Sequence, residues 1–133
     1  MRTERGSASV ELVILTPVLL VLTLLIVYFG RFTSAMQTTQ QAADHGARSA
    51  SKSNFSEMYN VGSKAAAAYL ARSRSGCSDV RVNVAVDRDS SRPSVLVEVE
   101  CFIDQSSLGI LRLFPRRVHA ESVEVVDIWR AEE

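Results

Sequence analysis

Apolar positions along this chain follow three successive patterns. Residues 12–29 read LVILTPVLLVLTLLIVYF, 18 positions without a charged side chain. At about 1.5 Å of rise per residue such a helix nearly crosses a hydrocarbon layer of ~30 Å, and with Gly30 and the region around Val10 it spans. Thr16 and Thr23 can return their hydroxyls to the helix's own carbonyls, and Pro17 is expected to kink a helix that a membrane tolerates. Tyr28, Phe29, Arg31 and Phe32 make an expected interfacial anchor. Arg2, Arg5 and the N-terminal amine on one side against Arg31, and farther off Arg48, on the other favour an N-terminus inside.

Beyond the span the period is helical but the residues are small. Phe32, Ala35, Met36, Ala42, Ala43, Gly46, Ala47 and Ala50 share one face, with Gln37, Gln40, Gln41 and Asp44 opposite. One helix over residues 9–50 is expected, roughly 60 Å long at the standard rise. A polar break at 51–56 precedes a second helix over 57–74, capped by Ser56, with Met58, Val61, Gly62, Ala65 and Tyr69 inward and Arg72, Arg74 and Gly76 at its end. The tract 65–68 is suited to close packing on the first helix.

The period then falls to two. Val80, Val82, Val84 and Val86 alternate with polar or small residues, and after a turn at 88–93 so do Val95, Val97, Val99 and Cys101. Pairing Val86 with Val95 also brings Val84 to Val97, Val82 to Val99 and Val80 to Cys101, while Arg81 meets Glu100. A slip of one residue would destroy both matches. Residues 108–114 form an apolar connection. A third strand is expected over 117–128, with a bulge near Ser122 because Val118 and Ala120 are out of phase with Val123 and Val125. Trp129 is expected to cover an edge of the core. The fold class is therefore α+β: a long N-terminal membrane helix, a second helix and a small antiparallel sheet.

Composition narrows the functional classes. A chain of 133 residues, less a membrane span, can bury only a small core, which argues against a large catalytic architecture. The 15 basic residues balance the 15 acidic ones, so no overall field draws it to nucleic acid, and Arg72, Arg74, Arg81, Arg88 and Arg92 lack interleaved aromatics. His45 and His119 lie on different elements without the paired spacing of a zinc site, and each is expected to be solvated. Glu98, Glu100, Glu121 and Glu124 suit a hydrated sheet face. Neither a nucleophile elbow nor a phosphate-binding loop is present, so an enzyme is not expected and no cofactor is implied. Cys77 and Cys101 both follow the span, and a bridge between them is the default if that part faces an oxidising compartment. In the register above it would tie the loop before the first strand to the sheet.

The most informative stretch stands just before the apolar run. A basic leader is followed by Gly6, and Glu11 lies five residues on, at the membrane edge. A glutamate near a helix start is also unremarkable by itself, since acidic groups suit helix N-termini. Together, Gly6-Ser-Ala-Ser-Val-Glu-Leu-Val-Ile-Leu-Thr-Pro-Val-Leu-Leu and the later Ile26-Val-Tyr-Phe-Gly-Arg-Phe resemble the N-terminal signature of TadE-like proteins, pseudopilins of the tight-adherence (Tad/Flp) pilus. Leu12 and Tyr28 depart from it, where the family often has an aromatic and an acidic residue.

The resemblance implies a leader of residues 1–6 removed by a prepilin peptidase after Gly6, with Ser7 as the new N-terminus. It implies a helix over 7–50, transmembrane over about 12–30, and an extracytoplasmic headpiece over 51–133. Glu11 would then neutralise the Ser7 amine of a neighbouring subunit, a charge too costly to leave uncompensated near lipid. The implied role is that of a minor pilin or pseudopilin in pilus assembly and adhesion. Its implied partners are the peptidase, other pilins and inner-membrane platform proteins. A competing expectation is an ordinary signal peptide cut after Ala35, releasing a secreted binding domain or small enzyme. A third is a membrane-anchored receptor unrelated to pili.

Overall fold

The computed structural model describes residues 7–73, 77–103 and 116–131. The leader and Gly6, the helix end and Gly at 74–76, and the apolar connection at 108–114 lie outside them. Within the described residues the order is α1 (Ser7–Ser51), α2 (Met58–Arg72), β1 (Cys77–Asp87), β2 (Ser94–Ile103), β3 (Arg116–Val125) and a short α3 (Ile128–Ala131). This is the α+β class that the change of period predicts.

The chain divides into two units, Met1–Thr33 and Ser34–Glu133. The first holds the apolar part of α1, whose large aliphatic side chains from Val10 to Val27, and Phe29, are exposed, with Tyr28 half-buried. Helix α1 is assigned without interruption through Pro17. Proline has no N–H to give the Val13 carbonyl, but the hydroxyls of Thr16 and Thr23 donate to Leu12 and Leu19 carbonyls at 2.6 and 2.8 Å.

The second unit has its helices on one face of a three-stranded antiparallel sheet of order β1-β2-β3. Its core on the helix side is built from alanine. Ala35, Ala42, Ala43, Ala47 and Ala50 of α1 and Ala66 of α2 are buried, with Met58 and Leu70 as the large residues. Small side chains contribute little transfer energy each, but they let backbones approach. A Cβ added at Gly46 would stand 3.0 Å from the Gly62 carbonyl oxygen and 3.1 Å from both Ala66 Cβ and Val97 Cγ1. The two glycines therefore mark the closest approach of α1 and α2, directly over the central strand.

The buried stripe of α2 is Met58, Gly62, Ala66 and Leu70, four residues apart at each step, whereas Val61, Ala65 and Tyr69 are only half-buried. Of the tract 65–68, Ala67 and Ala68 face outward. The expected cap at Ser56 is not used. Glu57 occupies the N-cap position without a side-chain cap bond, and the preceding turn closes through Glu57 and Met58 N–H groups donating to the Asn54 carbonyl. On α1, Met36 proves exposed and Thr39 takes the buried position, its hydroxyl satisfied by the Ala35 carbonyl at 2.8 Å.

Strand β2 is central, and Val95, Val97, Val99, Cys101 and Ile103 all point into the core. The predicted pairs of Val86 with Val95, Val84 with Val97, Val82 with Val99 and Arg81 with Glu100 are present. The fifth, Val80 with Cys101, is overturned by a bulge. The register shifts between Ser78 and Arg81, and Asp79 adopts φ 50°, a conformation Asp tolerates better than most residues. The extra residue leaves Asp79 and Val80 opposite Cys101, with Val80 exposed, and reverses the alternation before the bulge, so that Cys77, paired with Ile103, turns toward the face that holds Cys101. Cys77 is thus the first residue of β1, not part of a preceding loop.

Strand β3 corrects the expectation in the opposite sense. Its pairing with β2 is continuous from Ser94 with Val125 to Ile103 with Arg116, with no bulge at Ser122. Val118 and Ala120 are buried, and Val123 and Val125 simply face outward at 61% and 60% exposure. The strand ends at Val125, Val126 returns to the core, and Trp129 does not cover the core edge but stands 92% exposed. The end of β3 is tied down by main-chain bonds from Val126 N–H to the Pro93 carbonyl and from Asp127 N–H to the Ser51 carbonyl, at 2.9 and 3.1 Å.

Candidate functional site

The residues singled out in the sequence fall into two places, one in each unit. In the first, α1 begins at Ser7, so the residue that would become the new N-terminus is also the first of the helix. Glu11 is the fifth helical residue, one turn farther on and exposed. Positions four apart lie on one helical face, so Ser7 and Glu11 share a stripe of α1. Immediately after Glu11 the exposed surface becomes continuous hydrocarbon. Pro17, Val18, Val21, Leu22 and Leu25 form one apolar strip along it, and Tyr28 and Phe29 close it with an edge-to-face ring pair, centroids 5.7 Å apart.

A carboxylate at this point has a definite chemical character. It is the only side chain of α1 charged at neutral pH before Arg31, it lies at the start of a long apolar surface, and it is exposed among the described residues. Such an exposed carboxylate can accept a cation from another molecule. Helix α1 is long and apolar enough to cross a membrane, and none of its apolar window is buried. That surface is consistent with membrane anchoring.

In the second unit, Cys77 and Cys101 are joined by a disulfide, with Cα atoms 5.5 Å apart and a sequence separation of 24. Cys101 is fully buried in the central strand. The bond therefore links the beginning of the edge strand β1, where the bulge interrupts the ladder, to the most protected part of the sheet. The two histidines are far apart in the chain and lie on different elements, as expected. His45 is exposed on α1 and stacks on Tyr69 at 4.7 Å, while the Tyr69 hydroxyl donates to Gln41 Oε1 at 2.7 Å. His119 lies on the open face of the sheet, 4.0 Å from Glu100.

Sequence reading missed how that open face is shared. Glu98 is paired directly with Glu121, and His119 is two positions from Glu121 on the same strand. The expected bulge at Ser122 obscured this. Had β3 been read in one unbroken phase, the alternation of Arg117, His119 and Glu121 would have placed all three on one face.

No curated protein and no solved structure matches the chain. Residues 6–48 match the family model described as TadE-like protein, a stretch that covers Gly6, Ser7, Glu11, the apolar surface and the first buried alanines of the second unit. By that match, residues 6–48 of this chain are similar to TadE-like proteins.

Proposed function

We propose that this protein is a minor pilin or pseudopilin that takes part in assembling a Tad/Flp-type pilus. A TadE-like segment supports a pilin-like, pilus-associated role, which is structural and not catalytic. The observation that carries the finer reading is the position of Glu11. It is exposed one turn inside a helix that starts at Ser7, at the head of an apolar surface that no described residue of its own unit covers. In this reading a prepilin peptidase cuts after Gly6, and the freed Ser7 amine is neutralised by Glu11 of the adjacent subunit. The apolar helices then pack in a bundle, with the N-terminus inside and the headpiece outside. Contacts with other pilins and the inner-membrane platform follow from that placement.

Release by a signal peptidase after Ala35 fits less well. Ala35 is buried in the headpiece unit and its carbonyl accepts the Thr39 hydroxyl, within a helix assigned without a break from Ser7 to Ser51. Cleavage there would remove a turn that the core uses.

The test compares wild type with Glu11→Gln for processed mass, membrane fraction and crosslinking to pilus components. The expected outcome is normal insertion and processing with loss of crosslinking and piliation, because only the charge has been removed. If Glu11 serves only its own helix start, worth about 0.3 to 1 kcal/mol, the variant assembles like wild type and the pairing mechanism fails. A Gly6 replacement with a bulky residue tests the cut separately, since the uncut protein should be heavier by the leader.

A further inference from the structure

The open face of the sheet carries an arrangement of charges that the fold does not require. Glu98 on β2 and Glu121 on β3 are direct cross-strand partners. Like charges in that relation destabilise a sheet, and among the described residues neither carboxylate forms an ion pair. Available cations are used elsewhere: Arg117 lies 3.9 Å from Glu100 and 4.7 Å from the Phe102 ring, Arg48 pairs with Glu124, and Arg81 is 3.8 Å from Asp79. His119 stands beside this uncompensated pair. One ligand atom each from Glu98, His119 and Glu121 lie within 4.8 Å of one another.

We propose that Glu98, His119 and Glu121 form a binding site for a divalent transition-metal ion, of which zinc is the representative. An imidazole with two carboxylates is a ligand set suited to such ions, and two negative charges balance one divalent cation. The three positions are fixed by continuous antiparallel pairing, so closing the site asks for side-chain rotation and no backbone change. Its supporting groups are also in place. Asn83, across from Glu98 on β1, donates to Glu98 Oε2 at 3.1 Å and orients it. Glu100, the cross-strand neighbour of His119, has Oε1 4.0 Å from His119 Nδ1, near enough that a small side-chain rotation would let it hold one ring nitrogen while the other faces the metal, as carboxylates do for metal-binding histidines. All three ligands are at least partly exposed, so the ion keeps open positions for water or for a donor from another molecule. The site is independent of the role proposed for Glu11.

Tag-free full-length protein in detergent micelles, with its disulfide intact, is titrated with zinc chloride by calorimetry, and with cobalt(II) for its visible spectrum. One saturable site is expected, together with a zinc-dependent rise in the unfolding temperature of the headpiece. His119→Gln and Glu121→Gln should each weaken zinc by at least about tenfold, the scale on which even supporting groups act. His45→Gln should leave it unchanged. In metal-free buffer Glu121→Gln should not lower the unfolding temperature, because it relieves the repulsion with Glu98. A merely structural role for Glu121 predicts a loss there. The proposal is overturned if wild type shows no saturable zinc binding, if binding survives His119→Gln, or if it disappears with His45→Gln.

Discussion

The two parts of helix α1 invert the usual relation between size and burial. In its first part Leu, Val and Ile are exposed on every side, whereas in its second part the buried positions are Ala35, Thr39, Ala42, Ala43, Gly46, Ala47, Ala50 and Ser51. In a water-soluble protein large apolar residues would be inside. The contrast is consistent with one helix answering to two solvents. The first part presents hydrocarbon outward, as suits apolar surroundings, and the second presents small residues inward, where a second helix lies against it. Substitutions that reverse polarity in each part should therefore fail in different assays.

The largest effect is expected in the headpiece. Val97 is fully buried at the centre of β2, against the Gly46 crossing. Val97→Asp places an unpaired carboxylate there, on the order of 3–5 kcal/mol by analogy with a broken buried ion pair. The headpiece should become sensitive to protease while the protein stays in the membrane fraction. Leu20→Arg does the reverse. A central arginine costs about 2.5–3.5 kcal/mol of insertion free energy, so the membrane fraction should fall while any folded headpiece keeps its protease resistance. If both variants fail in the same assay, the two parts are not separate in their energetics.

Most of the elements were legible in the sequence because their periods are. The step from 3.6 to 2 after residue 76 located the sheet, and the valine alternation set four of five cross-strand pairs of β1 with β2. What failed was the assumption that apolar means inward. Val123 and Val125 obey the pleat of β3, so their side chains are outside although apolar, and reading them inward required a bulge that β3 lacks. The true bulge is at Asp79, where no break of hydrophobic phase announces it, because Ser78 and Asp79 are polar on either reading. Small residues misled in another way: alanine is compatible with either environment, so Ala65 and Ala66 could not be ranked by type. Gly6, Ser7 and Glu11 were read from their spacing and a family resemblance, since nothing local in the fold distinguishes an exposed glutamate that is used from one that is not.

The disulfide sharpens the comparison at a similar scale. Closing the 24-residue separation of Cys77 and Cys101 should be worth about 3 kcal/mol by restricting the unfolded chain. Its cost should appear only in the headpiece, where a small alanine core leaves little reserve. Cys77→Ser with Cys101→Ser should lower the denaturant midpoint of the headpiece and leave membrane insertion unchanged. Thiol labelling of denatured, unreduced wild type should find neither cysteine free. Full labelling of both would remove the bridge from the mature protein and weaken the assignment of the headpiece to an oxidising compartment.

The smallest effects test the helix crossing through three glycines in similar helical settings. Replacing glycine with alanine inside a helix gains up to about 1 kcal/mol of intrinsic propensity, so any loss measures crowding. At Gly46 the new Cβ would meet the Gly62 carbonyl at 3.0 Å and two side chains at 3.1 Å. The carbonyl belongs to a backbone that cannot rotate away, so α2 must shift, and overpacking of this kind typically costs about 1–3 kcal/mol. At Gly62 the nearest atom is the Ala50 Cβ at 3.2 Å, followed by Val84 Cγ2 at 3.4 Å, and the two contributions should nearly cancel. At Gly30 nothing lies within 4 Å, so the propensity gain should stand alone in the isolated protein. Denaturant unfolding in detergent should therefore lower the headpiece midpoint for Gly46→Ala, leave it almost unmoved for Gly62→Ala and show no loss for Gly30→Ala. Equal behaviour of Gly46→Ala and Gly30→Ala would mean that the close crossing contributes nothing to holding the headpiece together. A loss of piliation with Gly30→Ala alone, at unchanged stability, would instead place a neighbouring helix against the one described glycine that its own chain leaves open.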